Sequence, residues 1–118
     1  MEIIDNGQLL IQSINTTATA SVTTTGQSTI ITNRGNVKKV TIEPGTDTVA
    51  DLAVCTITIL INSVEVIQTV PLSLFSRTTQ AIQKMFKVNW AEGSTIGFRI
   101  VNGSGNNIPV AIILYFDN

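Results

Sequence analysis

Apolar and polar side chains alternate with a period of two along several segments of the chain, which is the pattern of strands with one buried face. In residues 84–90, Phe86, Val88 and Trp90 fall on one side and Lys87 falls on the other. We therefore expect Trp90 to face a core with Phe86 and Val88, and not to form an exposed platform for sugar stacking.

Groups of Gly, Pro, Asn and Asp interrupt these segments about every 8 to 12 residues, the spacing of an all-β sandwich or barrel. The β-branched residues, which favour strands, amount to 17 Thr, 17 Ile and 11 Val. The sequence therefore predicts an all-β, antiparallel β-sandwich of about eight to nine strands, forming a single domain over residues 1–118. We place strands near residues 8–14, 17–24, 28–33, 36–43, 53–61, 64–70, 84–90, 94–102 and 108–116, and a short helical turn around residues 78–84.

The clearest local prediction is a hairpin with a two-residue turn at Asn62 and Ser63. Such a turn needs positive φ angles, which Asn tolerates better than most residues. We expect pairing to start with Ile61 opposite Val64 and to continue without interruption along both strands.

Two regions leave large apolar side chains on a second face. Residues 108–116 are apolar on both sides, with Ile113 and Tyr115 on the face opposite the predicted core, and the hairpin places Leu60 and Ile67 on its otherwise polar face. Because a strand that is apolar on both faces is usually covered on both, we predict a subunit interface at Leu60, Ile67, Ile113 and Tyr115.

Charged residues make up 13% of the chain, about half of the roughly 25% in a typical soluble domain. A net charge of −1 with scattered cations argues against nucleic-acid binding, and the β-branched content argues against disorder. The chain has no histidine and one cysteine, Cys55, which we expect to be a buried, unreactive thiol. We predict no enzymatic activity, no cofactor and no metal site.

Two segments carry alternatives. The Thr-rich stretch from Thr16 to Thr29 is either an ordinary exposed strand and loop or part of an extended arm, within residues 1–30, that packs on a neighbour. Three acidic residues, Glu43, Asp47 and Asp51, flank the turn at residues 44–46. Their spacing does not match a calcium-binding loop, so we expect a solvated turn.

A resemblance adds to this picture. Residues 56–67, Thr-Ile-Thr-Ile-Leu-Ile-Asn-Ser-Val-Glu-Val-Ile, and residues 92–116, with Glu-Gly-Ser-Thr-Ile before a strand and a closing apolar strand, resemble small β-sandwich accessory proteins of phage virions. These include capsid decoration and head-fibre proteins. The resemblance implies a jelly-roll-like sandwich that assembles as a homo-oligomer, often a trimer, on a capsid protein.

We therefore expect a structural virion protein, either a capsid decoration protein or a minor capsid component, that acts by self-assembly and capsid contact. It would be made in the host cytoplasm without a signal peptide and carried in the virion. The alternative is a ligand-binding sandwich, most plausibly a carbohydrate-binding adhesin or lectin module. Its candidate residues are Asp47 and the loop from Asn102 to Asn107.

Overall fold

A computed structural model of the chain describes residues 4–5, 8–9, 11–30, 36–46, 48–75 and 85–116. Two helical segments are short: α1 is Val49–Leu52, and a 3₁₀ helix spans Leu72–Phe75. The strands are β1 Ile4–Asp5, β2 Gln8–Leu9, β3 Ile11–Ala18, β4 Thr23–Thr29, β5 Val37–Pro44, β6 Cys55–Ile61, β7 Val64–Pro71, β8 Met85–Trp90, β9 Thr95–Asn102 and β10 Ile108–Phe116.

Eight of these strands form two four-stranded antiparallel sheets. The first sheet has the order β3-β10-β5-β8 and the second has the order β4-β9-β6-β7, while β1 and β2 form a separate two-stranded sheet. The chain crosses repeatedly between the sheets, and this strand order is that of an eight-stranded jelly roll. The prediction of an antiparallel, jelly-roll-like β-sandwich is confirmed.

The core lies between the two sheets and is built from alternate residues of the strands. In β9, Ile96, Phe98 and Ile100 are buried, whereas Arg99 is only half-buried on the outer face. Trp90 is 7% exposed and belongs to the same core, so its predicted core position is confirmed. Burial of these branched and aromatic side chains removes apolar surface from water, which is the main force that holds the two sheets together.

The N-terminal third differs from its prediction in two ways. β3 continues through the break expected at residues 15–16. Gly26, which lies in the break expected between residues 24 and 28, is instead part of β4, and β4 pairs with β9 in unbroken register. Gly26 is needed inside a strand because a Cβ there would overlap Cζ of Phe98. Of the two alternatives for the Thr-rich stretch, the structure favours ordinary strands where residues are described from Ile11 onward, because β3 and β4 belong to the two sheets.

The β6–β7 hairpin begins as predicted. Asn62 and Ser63 have φ angles of 50° and 68°, as a type I′ turn requires, and Ile61 pairs with Val64. Further from the turn, two register shifts interrupt the ladder, and Thr69 adopts a φ of 36°.

These register shifts change the face of the sheet on which Ile67 lies. Ile59 pairs with Ile67, whereas an unbroken register would have put Val66 opposite Ile59. A bulge inserts an extra residue and inverts the alternation beyond it. Ile67 is consequently 7% exposed and part of the core, whereas Val66 is exposed. The predicted outward orientation of Ile67 is therefore wrong, and Ile67 does not lie on a surface where it could join a subunit interface.

Local helical structure appears earlier than expected. The 3₁₀ helix Leu72–Phe75 places Leu72 and Phe75 in the core, and the ring of Phe75 meets that of Phe86 edge-on at 5.9 Å. The helical turn predicted around residues 78–84 lies outside the described residues, as do Asp47 and the predicted strand end at residues 31–33.

Candidate interaction surfaces

The outer face of the first sheet carries the apolar residues of β10 that point away from the core. Ile113 lies between Ser13 and Thr41, and Tyr115 lies between Ile11 and Lys39. Both Ile113 and Tyr115 are half-buried. Ile113 and Tyr115 therefore lie on the outer face of the sheet, as predicted.

Thr41 is an unusual member of this face. It is 1% exposed, and within the described part of the chain its hydroxyl oxygen has no hydrogen-bond partner. A buried hydroxyl without a partner carries a desolvation penalty, so Thr41 lowers the stability of the sheet relative to an apolar residue of the same shape.

The outer face of the second sheet contains a shallow depression above Gly97. Leu60 and Gln27 flank this glycine, with atoms 3.8 and 3.9 Å from the position a Cβ would take. The depression encloses about 250 Å³ and is also lined by Arg99. Leu60 is half-buried here, so it lies on the outer face as predicted but belongs to a different surface from Ile113.

One ion pair borders the same depression. Nη2 of Arg99 lies 3.0 Å from Oε2 of Glu65, and both side chains are 40% exposed. An ion pair with this much solvent exposure contributes little to stability. It joins β9 to β7 across β6 and keeps the Arg99 side chain on the outer face.

A buried polar cluster occupies the end of the sandwich where β9 leads into the loop before β10. The side-chain oxygen of Asn102 accepts hydrogen bonds from the amide and hydroxyl of Ser104 at 2.9 and 2.7 Å. The Cys55 thiol donates to the same oxygen at 3.2 Å. Cys55 is fully buried, as predicted, and burial raises the pKa of its thiol above the ordinary value.

This cluster buries two residues of the candidate ligand-binding loop, Asn102 and Ser104, and holds the exposed Asn106 and Asn107 in hydrogen bonds. Asn102 is 1% exposed and turned into the structure, and Asn107 accepts a hydrogen bond from the amide of Ala20. Asp51 accepts one from the side chain of Asn106 at 3.0 Å. The loop from Asn102 to Asn107 thus acts as a structural clasp between strands.

Three further observations concern the part of the chain that the structure describes. Among the described residues, no group of three or more Cys, Asp or Glu side chains is arranged to hold a metal ion. All six aromatic residues are described, and each of them is buried or half-buried. No helix in the described ranges has the length and hydropathy needed to cross a membrane.

The two uncharged edge strands of the sandwich were not identified from the sequence. β3 and β4 are the outermost strands on one side of the two sheets. The signal was present in the sequence, because residues 6–33 contain no charged residue, but its meaning depends on which strands lie at an edge.

Comparisons with known proteins bear on the fold alone. No family model and no curated protein matches the chain. Among solved structures, the chain is similar to the crystal structure of the Yersinia pseudotuberculosis-derived mitogen, with a TM-score of 0.50 and 14% identity. The similarity covers 92% of this chain and 86% of that chain. At this level of identity it supports the β-sandwich and carries no function across.

Proposed function

We propose that this protein is a non-enzymatic structural component of a virion, either an accessory decoration protein or a minor capsid component, that associates with copies of itself and with a capsid protein. The observation that carries the proposal is β10, a central strand with large apolar side chains on both faces. Ile112 and Leu114 fill the core, whereas Ile113 and Tyr115 point outward.

The outer face around Ile113 suits a protein partner better than a small ligand. Its central row joins Ile113 to uncharged Ser13 and Thr41. Charge appears further along, at Lys39, Lys87 and Glu43. An apolar centre with a polar rim is the usual composition of a protein interface. We assign this face to the capsid protein, and the resemblance of residues 56–67 and 92–116 to phage accessory proteins supports that assignment.

The alternative of a carbohydrate-binding module has less support. Sugar recognition commonly uses an exposed aromatic ring, and each of the six aromatic residues is buried or half-buried. The depression above Gly97, bordered by Gln27 and Arg99, and the exposed Asn106 and Asn107 of the candidate loop are features in its favour. Binding on a glycan array that is lost in Arg99→Ala would favour this alternative.

The test is association with particles. In density-gradient fractions from a culture that produces the chain, we expect it to band with the capsid protein at a fixed ratio after a high-salt wash. Recombinant Ile113→Glu is expected to bind purified particles at least tenfold more weakly than the wild type, because it places a charge at the apolar centre of the face.

Val64→Glu is the matched control, since Val64 is also β-branched and is 64% exposed on β7, far from β10 in the strand order. We expect it to bind as the wild type does. If the chain remained in the soluble fraction, or if both variants bound particles equally well, the proposal would be wrong.

A further inference from the structure

The two sides of the sandwich differ in how their edge strands are protected. On one side, β7 has two register shifts, the positive φ of Thr69 and a terminal Pro71, and β8 carries the exposed Lys87. Bulges, proline and lysine are the devices by which edge strands avoid pairing with other chains. β7 and β8 are therefore blocked edges.

β4, on the opposite side, has none of these devices. It pairs with β9 from Thr23 to Thr29 without a register shift, and its sequence, Thr-Thr-Thr-Gly-Gln-Ser-Thr, contains neither charge nor proline. Its outer positions Thr23, Thr25, Gln27 and Thr29 are all exposed. A regular, uncharged edge of this kind is a template for a further strand.

The hydrogen bonds at the ends of β4 identify its unpaired backbone groups. The carbonyl of Val22 accepts from the amide of Asn102, and the amide of Ile30 donates to Ser94. Because inward and outward backbone groups alternate in an antiparallel ladder, the even-numbered residues of β4 bond to β9. The odd-numbered residues direct their N–H and C=O groups away from it.

One of these outward groups is already occupied. The carbonyl of Thr29 accepts a hydrogen bond from the side-chain nitrogen of Gln12 at 3.1 Å. Among the residues that the structure describes, the backbone groups left open are those of Thr23, Thr25 and Gln27, which are arranged symmetrically about Thr25.

We propose that β4 pairs antiparallel with β4 of a second copy of this chain, around a two-fold axis at Thr25. Thr25 then lies opposite its counterpart, Thr23 lies opposite Gln27, and the second sheets of the two copies join into one continuous sheet. This contact rests on one part of the proposed function, namely that the chain associates with copies of itself. It produces dimers, or assemblies of dimers, in place of the trimer implied by the resemblance.

The side chains favour a second copy as the occupant. Threonine pairs across antiparallel strands are stabilising, and hydroxyl and amide groups are each both donor and acceptor. Two copies of β4 therefore match without bringing like charges together. The neighbouring edge β3 is less suited, because asparagine is depleted in strands and its exposed Asn15 already accepts a hydrogen bond from Ser13.

Proline substitution tests this contact without breaking the β4–β9 ladder. Thr25→Pro removes an N–H that points away from β9, and we expect the native mass measured by light scattering to fall by half. Asn15→Pro is the matched control at an exposed, outward-pointing position of the other edge, and we expect its mass to equal that of the wild type. Circular dichroism shows whether each variant is folded.

A cross-linking variant covers the case in which Thr25→Pro does not fold. In a Cys55→Ala background, Thr25→Cys is expected to form a disulfide-linked dimer on mild oxidation, because directly opposed residues of a hydrogen-bonded pair have Cα atoms about 5.5 Å apart. Asn15→Cys in the same background is expected to remain monomeric on a denaturing gel.

The outcomes separate this contact from the proposed function. If folded Thr25→Pro kept the wild-type mass, or if Asn15→Pro alone lowered it, β4 pairing would be wrong, while the loss of particle binding in Ile113→Glu would still support the virion role. A halved mass in Thr25→Pro with unchanged particle binding in Ile113→Glu would support the β4 contact alone. A monomeric wild-type chain would overturn the β4 contact.

Discussion

The side-chain nitrogen of Asn102 donates a hydrogen bond to the carbonyl oxygen of Ala18 at 3.0 Å, and this bond joins β9 in the second sheet to β3 in the first. The same nitrogen donates to the carbonyl of Asn106 at 2.8 Å. One buried amide therefore ties two sheets and a loop together. Buried polar groups of this kind stabilise a fold only when they are fully paired.

We expect Asn102→Ala to lower the free energy of unfolding by about 3 kcal/mol, because the buried Ala18 carbonyl and Ser104 amide would lose their partner. Urea denaturation followed by circular dichroism measures the change. Asn89→Ala, at an exposed asparagine, is the control and should change stability by less than about 0.5 kcal/mol. Equal losses in the two variants would show that Asn102 does not act as a clasp.

Two buried threonines should respond oppositely to the same substitution. Thr41 is 1% exposed and lacks a partner among the described residues, whereas Thr58 is 3% exposed and its hydroxyl accepts from the amide of Thr69 at 3.2 Å. We expect Thr41→Val to raise the free energy of unfolding by about 1 kcal/mol and Thr58→Val to lower it by about 1 kcal/mol. Thermal and urea denaturation of the two variants provide the measurement, and a change of the same sign in both would contradict the assignment.

The sequence was informative wherever a strand kept a regular period. Alternation at Phe86, Val88 and Trp90 placed their core face correctly, because each side chain direction follows from the one before it. The turn at Asn62 and Ser63 was predictable for a similar reason, since few residues accept positive φ.

Prediction failed where the outcome depended on contacts between distant residues. Glycine is typical of turns, yet Gly26 lies within β4. A side chain at this position would overlap the ring of Phe98, so the strand requires a glycine there. Ile67 faces the core because the bulges in β7 shift the register, and no local signal marks them. The hydrogen bonds of Asn102 likewise depend on distant residues, since Ala18 is 84 positions away in the chain.

Cys55 provides a pH-dependent prediction. Burial raises the pKa of its thiol, the nearby Asp51 carboxylate adds to the rise, and backbone hydrogen bonds to Gly103 and Ser104 oppose it. The folded state thus holds the thiol proton more tightly than the unfolded state does. This contribution to stability is complete below the ordinary thiol pKa of about 8.5 and is lost as the pH rises above it.

We therefore expect the free energy of unfolding to fall more steeply between pH 7 and pH 10 in the wild type than in Cys55→Ala. Comparing the two chains cancels the contributions of all other groups, which both chains retain. Ellman's reagent at pH 8 should react with Cys55 slowly in the folded protein and rapidly in denaturant. Parallel pH profiles, or rapid labelling of the folded chain, would show that the thiol is accessible and unperturbed.

The bulged register of β7 makes a prediction opposite to that of an unbroken hairpin. Ile67 is in the core and Val66 is 44% exposed, so Ile67→Ala should lower the free energy of unfolding by about 3 kcal/mol. Val66→Ala should change it by less than about 0.5 kcal/mol. An unbroken ladder would bury Val66 and expose Ile67, and the order of the two effects would reverse. Urea denaturation of both variants therefore distinguishes the registers, since only a bulge puts the larger loss at residue 67.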